Sequence, residues 1–180
     1  METDLKAVFS FIDDYKFNKN LEFNACFGKY SKQFGFNSEC LHKESFNKIN
    51  KLLESCTTWD SVVDEVDEKF YENTEKTVNS KIVSTDSSYD LFITIDYINK
   101  VSIYDSEEFI KKTTCYSRKY HTYKLSEVSN KFKTYYTFNI TLNFNKSVLT
   151  KYMHDSTFLK IIDIFYLLEK NNNNVKFTEI

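Results

Sequence analysis

Leu21-Glu22-Phe23-Asn24-Ala25-Cys26-Phe27-Gly28-Lys29-Tyr30 is the stretch on which the reading of this chain turns. Its residues alternate between apolar and polar with period two, the pattern of a strand whose faces meet different surroundings. Phe23, Ala25 and Phe27 share one face; Glu22, Asn24 and Cys26 share the other. An acidic residue opening the polar face, with Gly28 where the strand can turn, predicts a strand lining a polar cavity.

The same two-faced pattern recurs downstream. Tyr89, Leu91, Ile93 and Ile95 alternate with Asp90, Phe92, Thr94 and Asp96. Between 132 and 145, Phe132, Tyr136, Phe138, Ile140, Leu142 and Phe144 oppose Lys133, Tyr135, Thr137, Asn139, Thr141, Asn143 and Asn145. Residues 114–125 read as one long Tyr-rich strand, and shorter strands are expected near 62–71, 76–84 and 175–180. Helical spacing appears over 3–16 (Leu5, Val8, Phe9, Ile12) and over 42–55 (Phe46, Ile49, Leu52, Leu53). Two more helices are expected over 99–112 and 156–169. The order of elements predicts an α+β fold in a single domain spanning 1–180. Long two-faced strands suit an antiparallel barrel or tunnel with a polar interior, and equally a single sheet with one wet face.

Composition narrows the classes. A chain of 180 residues can bury a sizeable core. The net charge of −2 and pI near 6.0 give no bulk electrostatic case for non-specific nucleic-acid binding. Arg118 is the one arginine among 24 basic residues, so a site needing a bidentate guanidinium has a single candidate. With no proline and two glycines, turns must come from the Asn, Asp and Ser clusters. The four cysteines are widely spaced, without a CxxC pair, and are expected as free thiols with no disulfide partner. No signal-peptide core opens the chain, and the apolar segment 159–168 is too short to span a bilayer and is interrupted by Asp163. A cytoplasmic protein with no membrane partner is expected. His42, His121 and His154 are too scattered for a triad or metal site. The run Asp64, Glu65, Asp67, Glu68 reads as a solvated acidic face.

The order of segments resembles the RNA 5′-triphosphatase domain of viral mRNA capping enzymes. This is a branch of the triphosphate tunnel metalloenzymes, and the resemblance is closest to the capping proteins of large cytoplasmic DNA viruses. Glu22-Phe23-Asn24-Ala25-Cys26-Phe27-Gly28 falls on a family strand of the kind Glu-Leu-Glu-x-Arg-Phe-Gly. Phe46-Asn47-Lys48-Ile49-Asn50-Lys51-Leu52-Leu53 resembles the family's following helix. Phe92-Ile93-Thr94-Ile95-Asp96-Tyr97, Tyr116-Ser117-Arg118-Lys119-Tyr120 and Tyr136-Thr137-Phe138-Asn139-Ile140-Thr141-Leu142 resemble three of its later strands.

The resemblance implies a β-tunnel with flanking helices that holds a triphosphate end-on, with carboxylates on Mg²⁺ or Mn²⁺ and basic residues on the phosphates. Carried over by position, the metal set would be Glu22, Asn24 and, near the C-terminus, Glu179; the phosphate contacts would be Lys81, Arg118, Lys119 and Lys124. Several family positions are altered. Asn24 replaces a second carboxylate, Cys26 stands for a base, and Phe92 and Thr137 occupy two phosphate-clamp positions. The expectation is therefore a catalytically degenerate triphosphatase-like domain with no resident cofactor, serving a viral capping or transcription complex in the host cytoplasm or virion. Its partners would be other subunits and the RNA 5′ end. Two alternatives stand beside it. One is an active, divergent metal-dependent polynucleotide 5′-triphosphatase that recruits Asp90, Asp96 or Glu179. The other is an α+β interaction module unrelated to capping.

Overall fold

A computed structural model describes residues 2–15, 17–70, 77–85, 87–98, 109–144 and 152–169. Three helices, α1 (Glu2–Tyr15), α2 (Lys43–Ser55) and α3 (Tyr152–Leu168), accompany eight strands. These are β1 (Leu21–Ser31), β2 (Gly35–Asn37), β3 (Ser61–Phe70), β4 (Thr77–Val83), β5 (Asp90–Tyr97), β6 (Phe109–Arg118), β7 (His121–Ser129) and β8 (Thr134–Asn143). The strands form one antiparallel sheet in the order β3-β6-β7-β8-β1-β5-β4, with β2 as a short hairpin arm on β1. β3 and β4 are its two ends, and no pairing joins them among the described residues.

The period-two pattern sorts the sheet into an outer and an inner face. Outward-facing Phe23, Ala25 and Phe27 of β1 are fully buried, as are Leu91, Ile93 and Ile95 of β5 and Phe138, Ile140 and Leu142 of β8. The three helices cover this face, contributing Val8 and Ile12, Ile49 and Leu53, and Ile161, Ile164 and Phe165 to one continuous core. Phe27 sits at its centre, 5.5 Å from the Phe138 ring and 5.0 Å from Phe165. Trp59 closes the α2 end, donating its indole N–H to the Leu53 carbonyl (2.8 Å) and packing on Tyr116 and Tyr123. Helix α3 starts a turn earlier than its spacing suggested. It is buried on several sides by sheet, α1 and α2, so its apolar residues do not form a single stripe.

Three expectations are corrected. The long strand over 114–125 is a hairpin: β6 ends at Arg118 and β7 begins at His121. The turn carries neither Gly nor Asn, the usual signals. Lys119 instead takes φ = 52°, and its N–H is held by the Asp60 carboxylate. Residues 109–112, expected as the end of a helix, open β6, while 99–108 and the strand expected at 175–180 lie outside the described residues. Phe132, placed by alternation on the apolar face, is 88% exposed in the β7–β8 turn.

Gly28 is required by its neighbours. A Cβ there would meet the Asn37 carbonyl oxygen and lie 2.6 Å from Phe36 Cζ, so only glycine lets the β2 arm fold back. Asp90 fixes the same end of β1, accepting from the Tyr30 and Thr85 N–H groups (2.9 and 3.0 Å) and pairing with Lys29 (3.3 Å). Burial pushes this carboxyl up, but those two backbone donors and Lys29 outweigh burial and hold it below the usual range.

Two outcomes follow for stability. Phe27→Ala empties the centre of the core and should cost about 3–5 kcal/mol, read as a lowered urea midpoint with Trp59 fluorescence as the probe. His121 joins β7 to α3 through a buried 2.8 Å hydrogen bond to Thr157, and burial, helped by Lys160, pulls its pKa down from 6.5 to about 4. The unfolded chain therefore takes up this proton first as pH falls. Stability is complete above about 6.5 and declines towards pH 4, a decline that His121→Gln should flatten in the same unfolding experiment.

Candidate functional site: the polar inner face

The inner face is polar, yet much of it is buried although no described helix covers it. Thr94, Asp96, Thr113, Ser126, Thr137 and Thr141 are all buried. The sheet must therefore curl so that this face encloses itself. Electrostatics gives the same answer: the thiol of Cys26 on β1 feels the ammonium of Lys111 on β6, three strands away along the sheet.

Register arranges the lining in rows. Glu22 lies opposite Asp96 on one side and Asn143 on the other. In the next row Thr94, Asn24, Thr141, Thr122 and Ser117 follow one another across five strands. A third row runs Phe92, Cys26, Asn139, Lys124, Cys115. Hydroxyl pairs fasten β6 to β7 in the rows on either side of it, Thr113 to Ser126 at 2.8 Å and Ser117 to Thr122 at 3.0 Å.

At the carboxylate end, Asn24 is the centre of a closed network. Its amide nitrogen donates to Asp96 Oδ2 at 2.7 Å and to Glu22 Oε1 at 3.5 Å, while its carbonyl oxygen accepts from the Thr141 hydroxyl at 2.9 Å. Asp96 also accepts from Thr94 (3.1 Å) and Thr77 (2.9 Å). The amide orientation follows from its partners, since ionised carboxylates can only accept. Hard dications such as Mg²⁺ and Mn²⁺ require converging oxygen ligands. Here the Asn24 amide directs N–H groups at both carboxylates and turns its oxygen away. Among the described residues no group of three His, Cys, Asp or Glu could hold a metal ion. The arrangement described does not fit the Mg²⁺ or Mn²⁺ site that the family resemblance implies.

The sequence-derived candidates separate. Glu22 and Asn24 come together on the inner face, and Glu179 lies outside the described residues. Lys124 is also on the inner face, between Cys115 and Asn139. Lys81 pairs with Ile93 and shares its outward face, exposed. Arg118 and Lys119 stand at the β6–β7 turn, where Arg118 donates to the Thr58 hydroxyl (2.7 Å) and Lys119 through its backbone to Asp60. Asp90 serves the β1 end and is turned from Glu22's network. The interior cation that sequence reading missed is Lys111. The sequence predicts a helix over 99–112, and Lys111-Lys112-Thr113-Thr114 runs in like pairs that hide a two-residue period.

The inner thiols are held protonated. Burial pushes Cys26 up to about 12 against the pull of Lys111. Burial likewise raises Cys115, with Glu65 reinforcing and Lys124 and Lys111 opposing. Cys26, Cys56 and Cys115 take part in no disulfide. No helix among the described residues is long and apolar enough to cross a membrane.

No family profile matches the sequence, and no curated protein sequence matches it. Among solved structures the chain is similar to the RNA triphosphatase Pct1 of S. pombe, with a TM-score of 0.64 at 11% identity, covering 96% of this chain and 94% of that one. Pct1 in complex with the Spt5 CTD matches with a TM-score of 0.59 at 12% identity, covering 96% and 95%. The fold is therefore the antiparallel tunnel type of that triphosphatase, here with its sheet unclosed between β3 and β4 among the described residues.

Asn24→Asp replaces the bridging donor with a third carboxylate. It should lower the melting temperature at pH 7 by several degrees, because three like charges then crowd one partly enclosed cluster. The deficit should shrink towards pH 5, where a protonated carboxyl again supplies a donor. Thermal melts of both proteins across that range check this.

Proposed function

We propose that this chain is an RNA-triphosphatase-like tunnel domain that has kept the tunnel and lost the reaction. Its role is as a binding component of a viral mRNA capping or transcription assembly, in the host cytoplasm or the virion. The observation that carries the reading is the Asn24 amide between Glu22 and Asp96. Phosphoryl transfer depends on cation charge and fixed donors around the transferred group. Losing one charged ligand or one such donor typically costs ~10²-fold or more in rate. Asn24, Cys26, Phe92 and Thr137 stand at four positions where the family resemblance expects a charged or clamping group. Against that loss, Lys111, which lies across from Asp67, and Lys124 are on the enclosed face and are the cations that would meet a phosphorylated RNA 5′ end. The viral setting rests on the segment resemblance, and a protein partner is supported by the Pct1–Spt5 CTD complex.

Phosphate release from triphosphate-ended RNA and from ATP, measured with Mn²⁺, should stay at background. Turnover that disappears in Glu22→Ala would overturn this reading in favour of an active divergent triphosphatase. Inorganic tripolyphosphate should bind in an equilibrium titration, and Lys111→Ala and Lys124→Ala should each weaken it by about 10-fold, the loss of one charge-assisted contact. Tripolyphosphate binding that neither variant changes would favour an interaction module without a phosphate site.

A further inference from the structure

The β1–β2 turn carries Lys32 and Phe34, and the β7–β8 turn carries Lys131, Phe132 and Lys133. Phe34 is 80% exposed and Phe132 88%. Both tips lie at one end of the sheet, where β1 finishes and β8 begins. The Lys133–Glu39 ion pair (2.8 Å) ties the second turn to the single 3₁₀ turn (Ser38–Cys40) that follows β2. Polar residues are the rule at such tips, and neither ring contributes to the core.

Rings continue behind the tips into the channel. Lys133 Nζ lies 5.4 Å from the Phe109 ring and 5.2 Å from Tyr135, and those two rings meet edge-on at 6.0 Å. Tyr135 and Lys111 both face Val128 in the register, so this strip leads to the inner lysine. On the opposite wall Phe36 stacks on Phe92 at 5.1 Å. Glu39 pairs with Lys133 and Asp90 with Lys29, and Asp67 lies across from Lys111 in the register. Lys32 and Lys131 add positive charge at the tips of a chain whose net charge is −2.

We propose that this end of the sheet is a docking surface for single-stranded RNA. Phe34 and Phe132 stack on bases, Lys32 and Lys131 meet phosphates, and the strand's 5′ end is directed past Phe109 and Tyr135 towards Lys111. Flat rings beside ammonium groups are the usual means of holding a single strand without regard to sequence. Exposed Phe beside Lys also suits an anionic membrane. A bilayer would use the tips alone, whereas here rings and a lysine run on into a polar channel. The direction of the strand rests on the function proposed above; the surface itself does not need a triphosphate and can be tested without one.

The probe is a fluorescent oligouridylate of roughly 12 nucleotides with a 5′-hydroxyl, a length suited to one such surface. Anisotropy should show binding to the full chain, and the Phe34→Ala/Phe132→Ala double variant should weaken it about 10-fold or more, the loss expected when one or two bases are unstacked. Phe17→Ala removes a comparably exposed ring (82%) near the start of β1 and should leave binding unchanged. Lys32→Ala/Lys131→Ala should reduce the slope of log Kd against log salt by about 1. The proposal is overturned if the chain does not bind the oligonucleotide, if the double variant binds equally well, or if only phosphatidylserine vesicles respond to the loss of the two rings. Tripolyphosphate binding without RNA binding would sink this surface and leave the interior reading standing. RNA binding through the tips without tripolyphosphate binding would support the surface and remove the interior reading.

Discussion

β1 is hydrogen-bonded along both edges, to β5 on one side and β8 on the other, and the rest of the structure depends on that constraint. A strand held on both edges cannot slip by one residue without moving every side chain to the opposite face. Phe23, Ala25 and Phe27 are thereby committed to the helix-covered core, and Glu22, Asn24 and Cys26 to the enclosed interior. The ring of Phe27 against Phe138 and Phe165 supplies the hydrophobic reason for the choice, since the alternative register would put three apolar side chains into a polar channel and bury a carboxylate among leucines and phenylalanines.

The interior then has to satisfy its polar groups without bulk water on every side. It does so with neutral donors: threonine hydroxyls on Asp96, serine–threonine pairs between β6 and β7, and one asparagine amide shared by two carboxylates. Such a network holds the strands in register and leaves the carboxylates with partners of their own. Fold and reaction rest on different residues: pattern and packing determine the first, and a handful of charged inward side chains the second.

The strands with clean alternation, β1, β5 and β8, were legible because each residue alternates between two environments of contrasting polarity. The hairpin between β6 and β7 was not, because Lys119 adopts a left-handed conformation that its residue type does not announce and that Asp60, 59 residues earlier, stabilises. Lys111 was hidden for a related reason: paired like residues in 109–114 blur the two-residue period, and only pairing with β3 and β7 reveals the strand. The pattern alone placed Glu22 and Asn24 on the inner face; their reading as site residues rests on the family resemblance. Asp96, which lies opposite Glu22, could be named only as one carboxylate among several, since which strand neighbours β1 is not written in β1.

By itself, then, the amino-acid sequence determined the two-faced strands, the helices that must cover one of those faces, and an amide at position 24 on the polar face. Those are local facts, carried by period and residue type. Only the tertiary structure decided which polar residues share the interior, that the Asn24 amide lies between Glu22 and Asp96, and that Arg118 and Lys119 belong to a turn while Lys111 and Lys124 face the channel. The physical reason is that strand order and curvature are set by pairing between segments far apart in the chain, and no local pattern encodes which strand will lie beside which.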